Sequence, residues 1–366
     1  MITDLFLYNF RNFKELKLAI QAPHVVLHGG NGSGKSNILE AISLFSIGKG
    51  LKKASSDEII NIDQQSIGWS SHLTLNKDVL LKTSYKPDIQ QKFKKTSFIQ
   101  ETPIKSHTQF KEYLSILWIT PETDRLFLDS PSTRRKFVDR FVFAQDVNHL
   151  KHVTKYEEAV KERLKLLKTI GLSQSDWLDA LEKTIVEEGI LIAKARLKLL
   201  EKLSTFKPTD DEKTILPIFK AYMEGSFEEI LRSSHDDFES IFLQKLKDNR
   251  LSDKESGMTR FGPHRSDLFV LHPIKNISVY QCSTGEQKIL LLSILIAFIE
   301  MFCLNTETLT VFLLDDVIAH LDQNHREILY KRLLKNNLST FQTWFSGTDI
   351  DLFSPLTNNA QYIKIG

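Results

Sequence analysis

The spacing of apolar positions changes character four times along the chain. Near the start, "ELKLAI" (residues 15–20) alternates apolar and polar side chains, which predicts a half-buried antiparallel strand with "DLFLYNF" (4–10) as its partner. "HVVLH" (24–28) is β-branched and does not alternate, the pattern of a strand covered on both faces. In "NILEAISLFSIG" (37–48) the period becomes helical, with Ile38, Leu39, Ile42 and Phe45 on one stripe and Gly48 closing it. Residues 66–105 return to strands and turns.

From about residue 108 helical spacing dominates. "YEEAVKERLKLL" (156–167) sets Tyr156, Val160, Leu164 and Leu167 on one face. "DWLDALEKTIVEEGILIAKARLKLLEKL" (176–203) does the same with Leu178, Leu181, Ile185, Ile192, Leu199 and Leu203, beyond a break at Gly171. At 1.5 Å per residue the second segment spans roughly 40 Å, the length of a compact helical lobe or short hairpin and not of a long coiled-coil arm. "TFKPTDDEKTILP" (205–217) predicts a polar, proline-bounded loop. Near residue 262 mixed character returns: a helix after "CSTGEQK" (282–288), a buried strand "TLTVFLL" (308–314), a helix from about 323 and a last strand "FQTWFS" (341–346). The expected architecture is α/β: a head from both chain ends (1–107 and 262–366) and an inserted, mainly helical lobe (108–261).

Composition narrows the classes. The chain has 366 residues, 41% apolar and 26% charged, which suits a globular protein able to bury a core without disulfides or metal. Two cysteines, Cys282 and Cys303, make neither a disulfide framework nor a zinc cluster, so a cytoplasmic location is expected. "MITDLFLYNF" lacks a basic segment ahead of an apolar one, so no signal peptide is expected. The longest apolar run (289–304) is interrupted by Glu300 and is too short to span a membrane. A net charge of +2 leaves nucleic-acid binding open. Seven lysines against three acidic residues in 75–105 read as the solvated face of an edge hairpin.

Chemistry concentrates at residues 29–37, "GGNGSGKSN", between a strand and a helix. Gly29 through Ser36 fit G-x-x-x-x-G-K-[ST], the phosphate-binding loop of nucleotide-binding proteins. Gly29, Gly32 and Gly34 let the backbone curl so that the N–H groups of Gly30, Asn31, Ser33 and their neighbours point at phosphate oxygens, with the helix dipole behind them. Lys35 is expected on the β- and γ-phosphates of ATP and Ser36 on Mg²⁺, with Asn37 beside them. "VFLLDDV" (311–317) ends a buried strand in two carboxylates, which require something positive to meet them. Asp315 is the expected Mg²⁺ residue and Asp316 the one that orients or deprotonates the attacking water.

The stretch "CSTGEQK" is weak alone, but about thirty residues before Asp-Asp it resembles the signature motif of ATP-binding-cassette (ABC) ATPases. That resemblance implies a dimer with ATP between protomers, in which Ser283, Gly285 and Gln287 complete the partner's site. "AHLD" (319–322) matches the D-loop, with Asp322 toward the other protomer. Within that class the chain resembles the RecF family of bacterial recombination-mediator ATPases, over most of its length. "LYNFRNFKELKL", "LWITPETDRLFLDSPSTRRKFVD" (117–139), "FGPHRSDL" (261–268) and "LLDDVIAHLD" (313–322) carry the likeness. Arg11 and Asn12, in the first turn, are placed near the nucleotide by it. Arg134 and Arg135 either engage DNA or the dimer partner, or pair with Asp129 and Asp139; His264 and Arg265 are equally open.

The chain departs from the family pattern in three places. Ser36 stands for Thr, Glu286 for Gln, and Ser266 for Asp; "WFSGTD" (344–349) has no switch histidine, as is usual in RecF, so slow hydrolysis is expected. The resemblance implies a weak, DNA-stimulated ATPase of recombinational repair and replication that dimerises on double-stranded or gapped DNA with ATP. It would act with RecR- and RecO-like mediators in recombinase loading and would not enter a membrane. Two other readings stay open: a non-hydrolysing nucleotide switch or clamp of the SMC-like group, and a transporter's nucleotide-binding subunit, which predicts a switch histidine and a shorter chain.

Overall fold

The computed structural model describes residues 1–169, 175–210, 212, 215–233, 237–272, 274–305, 308–335 and 340–366. Gly171 and parts of the 205–217 loop lie outside the described residues. The chain divides into two compact units, one made of Met1–Asp124 and Leu295–Gly366 and the other of Arg125–Ile294.

The first unit begins with β1 (Ile2–Phe10) and β2 (Phe13–Ala19), paired antiparallel as their alternation predicts. After β3 (His24–His28) come helix α1 (Lys35–Ser43) and a one-turn α2 (Ser56–Ile59), then β4 (Trp69–Leu75), β5 (Val79–Pro87), β6 (Phe93–Ile99), β7 (Thr102–Ile104) and β8 (Leu114–Ile119). The order β2-β1-β4-β5-β6-β7 forms an antiparallel sheet; six of the seven lysines of 75–105 sit on its β5–β6 hairpin or the β4–β5 turn, and Lys105 follows β7.

The second unit is mainly helical. It holds α3 (Pro131–Gln145), α4 (His149–Thr169), α5 (Ser175–Leu203), β9 (Lys220–Glu224), α6 (Ser226–Ser233), α7 (Phe238–Asp248) and α8 (Arg250–Ser256). β10 (Asp267–His272) and β11 (Ile277–Ser278) complete a small sheet in the order β11-β10-β9. Helix α9 (Thr284–Asn305) then leads into the first unit, followed there by β12 (Leu309–Asp315), α10 (Gln323–Lys335), β13 (Phe341–Gly347) and β14 (Ala360–Lys364).

Five of these strands make a parallel sheet, β14-β3-β13-β12-β8, with β3 and β12 covered on both faces as their unbroken apolar runs require. Ile38, Leu39, Ile42 and Phe45 are buried with Val25, Leu27, Leu313 and Trp344 in one core. A second core, in the other unit, is built on Tyr156, Ile185, Phe227 and Phe242. Helix α9 is apolar all round, with Leu290, Leu292, Leu295 and Ile296 buried. No helix among the described residues is long and apolar enough to cross a membrane.

Several expectations are corrected. Helix α1 ends at Ser43 and not at Gly48, because the Ser43 hydroxyl turns onto the Glu40 carbonyl and accepts the Leu51 N–H. Strand β14 follows "FQTWFS"; its polar composition hid it. The unit boundaries fall at 124/125 and 294/295, whereas apolar spacing placed them at 107/108 and 261/262. Pairing is the reason: β8 joins β12 in the parallel sheet, and β10 joins β9 in the small one. On α4 the buried stripe includes Ala159, Arg163 and Leu166 beside Tyr156 and Leu167, while Val160 and Leu164 are only partly covered.

Candidate nucleotide site

Parallel strands ending in register place the site. Asp315 closes β12 directly beside Ser346 of β13, and His28 closes β3 beside Gly347. The loop from Gly29 to Gly34 crosses this carboxyl edge and enters α1, the position where open α/β sheets collect ligands. Glycine is required at two points. Gly29 has φ +151°, and a Cβ there would meet the Ile365 carbonyl oxygen at 2.2 Å. Gly34, which caps α1 at φ +112°, would drive a Cβ to 2.5 Å from the Phe13 ring and 2.6 Å from the Asn12 amide.

The loop turns its charge inward. The Lys35 ammonium donates to the Gly29 carbonyl (2.9 Å) and the Gly30 carbonyl (2.7 Å) from a buried position. The Ser36 hydroxyl donates to Asp315 Oδ1 at 2.7 Å, and the Ser346 hydroxyl donates to the same oxygen at 2.7 Å. Ser346 Oγ in turn accepts the Asp316 N–H at 2.9 Å, while Asp316 holds φ +53°, a conformation uncommon outside glycine. Above them lies a cavity of about 220 Å³ lined by Gly32, Gly34, Lys35, Ser36 and Asn37 on one side, and Asp316, Ser346 and Thr348 on the other. Asn31 and Lys52 complete its lining. Asn12 acts from outside: it donates to the Ser33 carbonyl (3.0 Å) and accepts from Asn37 (2.8 Å), whose side-chain oxygen accepts from Lys52 (2.6 Å). The Lys35 ammonium, the Ser36 hydroxyl and the buried Asp315 carboxylate beside a glycine loop suit a polyphosphate with a hard divalent cation.

Other sequence candidates stand elsewhere. Arg11 forks onto Glu40 with bonds of 2.8 and 2.6 Å and also donates to the Glu58 carbonyl; it braces α1 and does not line the cavity. Gln287 is buried, its amide donating to the carbonyls of Val279 (3.0 Å) and Cys282 (3.3 Å). Asp322 caps α10 through the His325 N–H (3.0 Å) and ring (2.6 Å), with its side chain 63% exposed. Gly29, Gly30 and Ser33 form the loop without lining the cavity. Spacing alone missed Lys52, Ser346 and Thr348. The basic run "GKGLKK" was the available signal for Lys52, and the end of a buried strand beside Asp-Asp was the signal for the other two.

In the second unit Ser283, Thr284 and Gly285 are exposed at the start of α9, and nothing lies within 4 Å of a Cβ placed on Gly285. Glu286 folds back to accept from the Ser283 N–H (2.8 Å) and hydroxyl (2.9 Å), and it pairs with Lys275. The Lys275 hydrogen bond and then the two from Ser283 hold the Glu286 carboxyl down at about 2. The departure at 286 thus makes a reciprocal helix cap. Ser266 is also explained: its hydroxyl donates to buried Glu228, a contact that an aspartate would turn into repulsion. Arg134 forks onto Asp267 (2.6 and 2.7 Å) and donates to the Asp129 carbonyl. Asp139 is taken by Arg196, so neither arginine pairs with it.

Comparison with known proteins bears out the family resemblance. The family described as RecF/RecN/SMC N terminal domain matches residues 1–354. The DNA replication and repair protein RecF of Agrobacterium fabrum is 34% identical over 367 residues, covering 100% of this chain and 96% of the relative. RecF of Rickettsia bellii (strain OSU 85-389) is 34% identical, covering 99% and 98%. Among solved structures, the recombination mediator protein RecF-ATPrS superposes with a TM-score of 0.79 at 23% identity, over 100% of this chain and 96% of that one, which establishes a common fold. From these matches along its whole length, the chain belongs to the RecF family of DNA replication and repair proteins.

Proposed function

We propose that the protein binds ATP with Mg²⁺ at the Gly29–Ser36 loop, dimerises on double-stranded DNA in that state and dissociates after slow hydrolysis. The observation that carries this reading is the Ser36 hydroxyl set 2.7 Å from the buried Asp315 carboxylate at the cavity edge. Lys35 meets the phosphates by exchanging its two carbonyl partners for phosphate oxygens. Ser36 and Asp315 would hold the metal, which supplies charge neutralisation at the phosphates. Asp316, held by Ser346 with its side chain on the cavity, orients or deprotonates water. Ser283, exposed and with its hydroxyl donating to Glu286, serves the nucleotide of a second copy, with Gly285 giving the clearance. Asp322 reaches that copy from the surface. The protein would act beside RecR- and RecO-like mediators at gaps in the cytoplasm; the relatives' description as DNA replication and repair proteins supports the repair role alone.

Fluorescence anisotropy of a labelled duplex tests the reading. ATP should tighten binding at least several-fold over ADP, and phosphate release should rise when duplex is added. Equal DNA affinity with ATP, with ADP and without nucleotide would overturn it.

A further inference from the structure

The paired arginines of "STRRKF" have separate fates. Arg134 is committed to Asp267 and to backbone carbonyls, and it lies against the Tyr280 ring. Arg135, half-buried, donates Nη1 to the Ser266 carbonyl at 2.7 Å; Asp267 and Asp139 act on it through charge at longer range, and no carboxylate among the described residues hydrogen-bonds to it. It borders a cavity of about 260 Å³ in the second unit, with Ser132, Lys136, Asp139, Glu157 and Arg196 also on its lining. The Asp139 charge is already met by a two-point bond from Arg196 and by His149. The remaining lining charges are Arg135 and Lys136 against the exposed Glu157, a positive balance.

His264 on the same wall responds to that balance. Its ring accepts from the Tyr156 hydroxyl (2.6 Å) and donates to the Thr259 carbonyl (2.8 Å), which fixes a neutral tautomer. Burial first, then Arg265, Arg135 and Arg196, push it down to about 4 against the opposing Thr259 bond. The cavity also adjoins the first turn of the fifteen-residue α3, where the Ser130, Ser132 and Thr133 hydroxyls bond one another and not the helix N–H groups. A half-used guanidinium fork, a free-standing ammonium and a hydroxyl-rich helix start therefore converge on one concave surface.

We propose that this cavity is a phosphate-binding site that takes a backbone phosphodiester of duplex DNA, with Arg135 as its fork and Lys136 and Ser132 at its rim. The identity of the ligand rests on the proposed function. A guanidinium with spare parallel donors recognises a phosphate in two-point fashion, and neighbouring hydroxyls are common supplementary donors to DNA phosphates. Contacts of this kind position a duplex without reading its sequence.

The test is a salt titration of full-length protein with ATP and a mixed-sequence duplex. The Arg135→Gln variant should bind several-fold more weakly, and its plot of log affinity against log salt should be shallower by about 0.9, the slope of one lost phosphate contact. Arg135→Lys should keep the slope and lose part of the affinity, because the charge remains and the fork does not. Lys136→Gln, at an exposed position, repeats the test without disturbing the Ser266 contact, and thermal unfolding of each variant checks folding. Wild-type affinity and slope in both glutamine variants would overturn the site. Binding of poly-glutamate that depends on Arg135, with DNA binding unchanged, would also overturn it in favour of an acidic peptide. A wild type that binds no duplex with ATP would remove the functional reading together with the site, whereas wild-type binding with silent variants removes the site alone.

Discussion

In the proposed site Lys35 is the phosphate partner, and in this structure it is bonded to its own loop. Removing it by Lys35→Ala deletes the ammonium held on the carbonyls of Gly29 and Gly30. ATP affinity should fall by at least tenfold, with the thermal midpoint little changed, as calorimetric titration and unfolding would show. Glu286 gives a second residue-scale prediction. Its folded value of about 2 lies below the ordinary glutamate value of about 4.3. The cap it makes on Ser283 is therefore complete above pH about 4.3 and weakens as pH falls toward about 2. Carbon-detected NMR titration should place Glu286 well below other glutamates, and Lys275→Ala should raise it; an ordinary midpoint in the wild type would refute the cap. The Gly29–Ser36 loop and the Asp315–Asp316 pair were legible from spacing, because the chemistry dictates residue types at fixed offsets. The Arg11–Glu40 contact was not, because it joins residues far apart in sequence through a buried ion pair that no local pattern encodes.

Helical elements show why periodicity reads faces better than partners. Helix α5 buries Leu178, Ile185, Ile192, Leu199 and Leu203 as its spacing requires. Helix α4 instead buries a charge. Arg163, fully enclosed, donates to Glu182 (2.8 Å), Asp253 (2.8 Å) and the Leu246 carbonyl (2.6 Å). Arginine is read from sequence as exposed, so the buried face of α4 was set too narrowly. Arg163→Ala would leave two buried carboxylates short of their partner, at a cost of about 3–5 kcal/mol. Urea unfolding should show that loss as a lower midpoint. A change under 1 kcal/mol would mean that Arg250, which also bonds Glu182, can replace it.

For the whole molecule, both chain ends enter one parallel sheet, an arrangement signalled by nucleotide-binding features at each end. The boundaries between units were less legible, since β8 and β10 are assigned by hydrogen-bonded partners remote in sequence. The proposed function takes two copies at this scale. Asp316→Asn keeps the side chain's size but removes its carboxylate, so ATP should still bind, turnover should fall at least tenfold, and dimers should accumulate on a sizing column. Turnover at the wild-type rate would move the water-orienting role to another residue.

The proposed function depends on ATP joining two protomers through the Lys35 loop of one and Ser283 of the other. Sedimentation velocity on the pure protein tests that most directly, run with ATP, with ADP and without nucleotide on wild type, Lys35→Ala, Ser283→Arg and a mixture of the two variants. Wild type should shift from monomer to dimer with ATP alone, and each single variant should remain monomeric. The mixture should recover part of the dimer, because one of its two composite sites keeps an intact loop and an intact serine. A wild type whose sedimentation is the same in all three conditions, or a Lys35→Ala protein that dimerises with ATP as wild type does, would contradict the account.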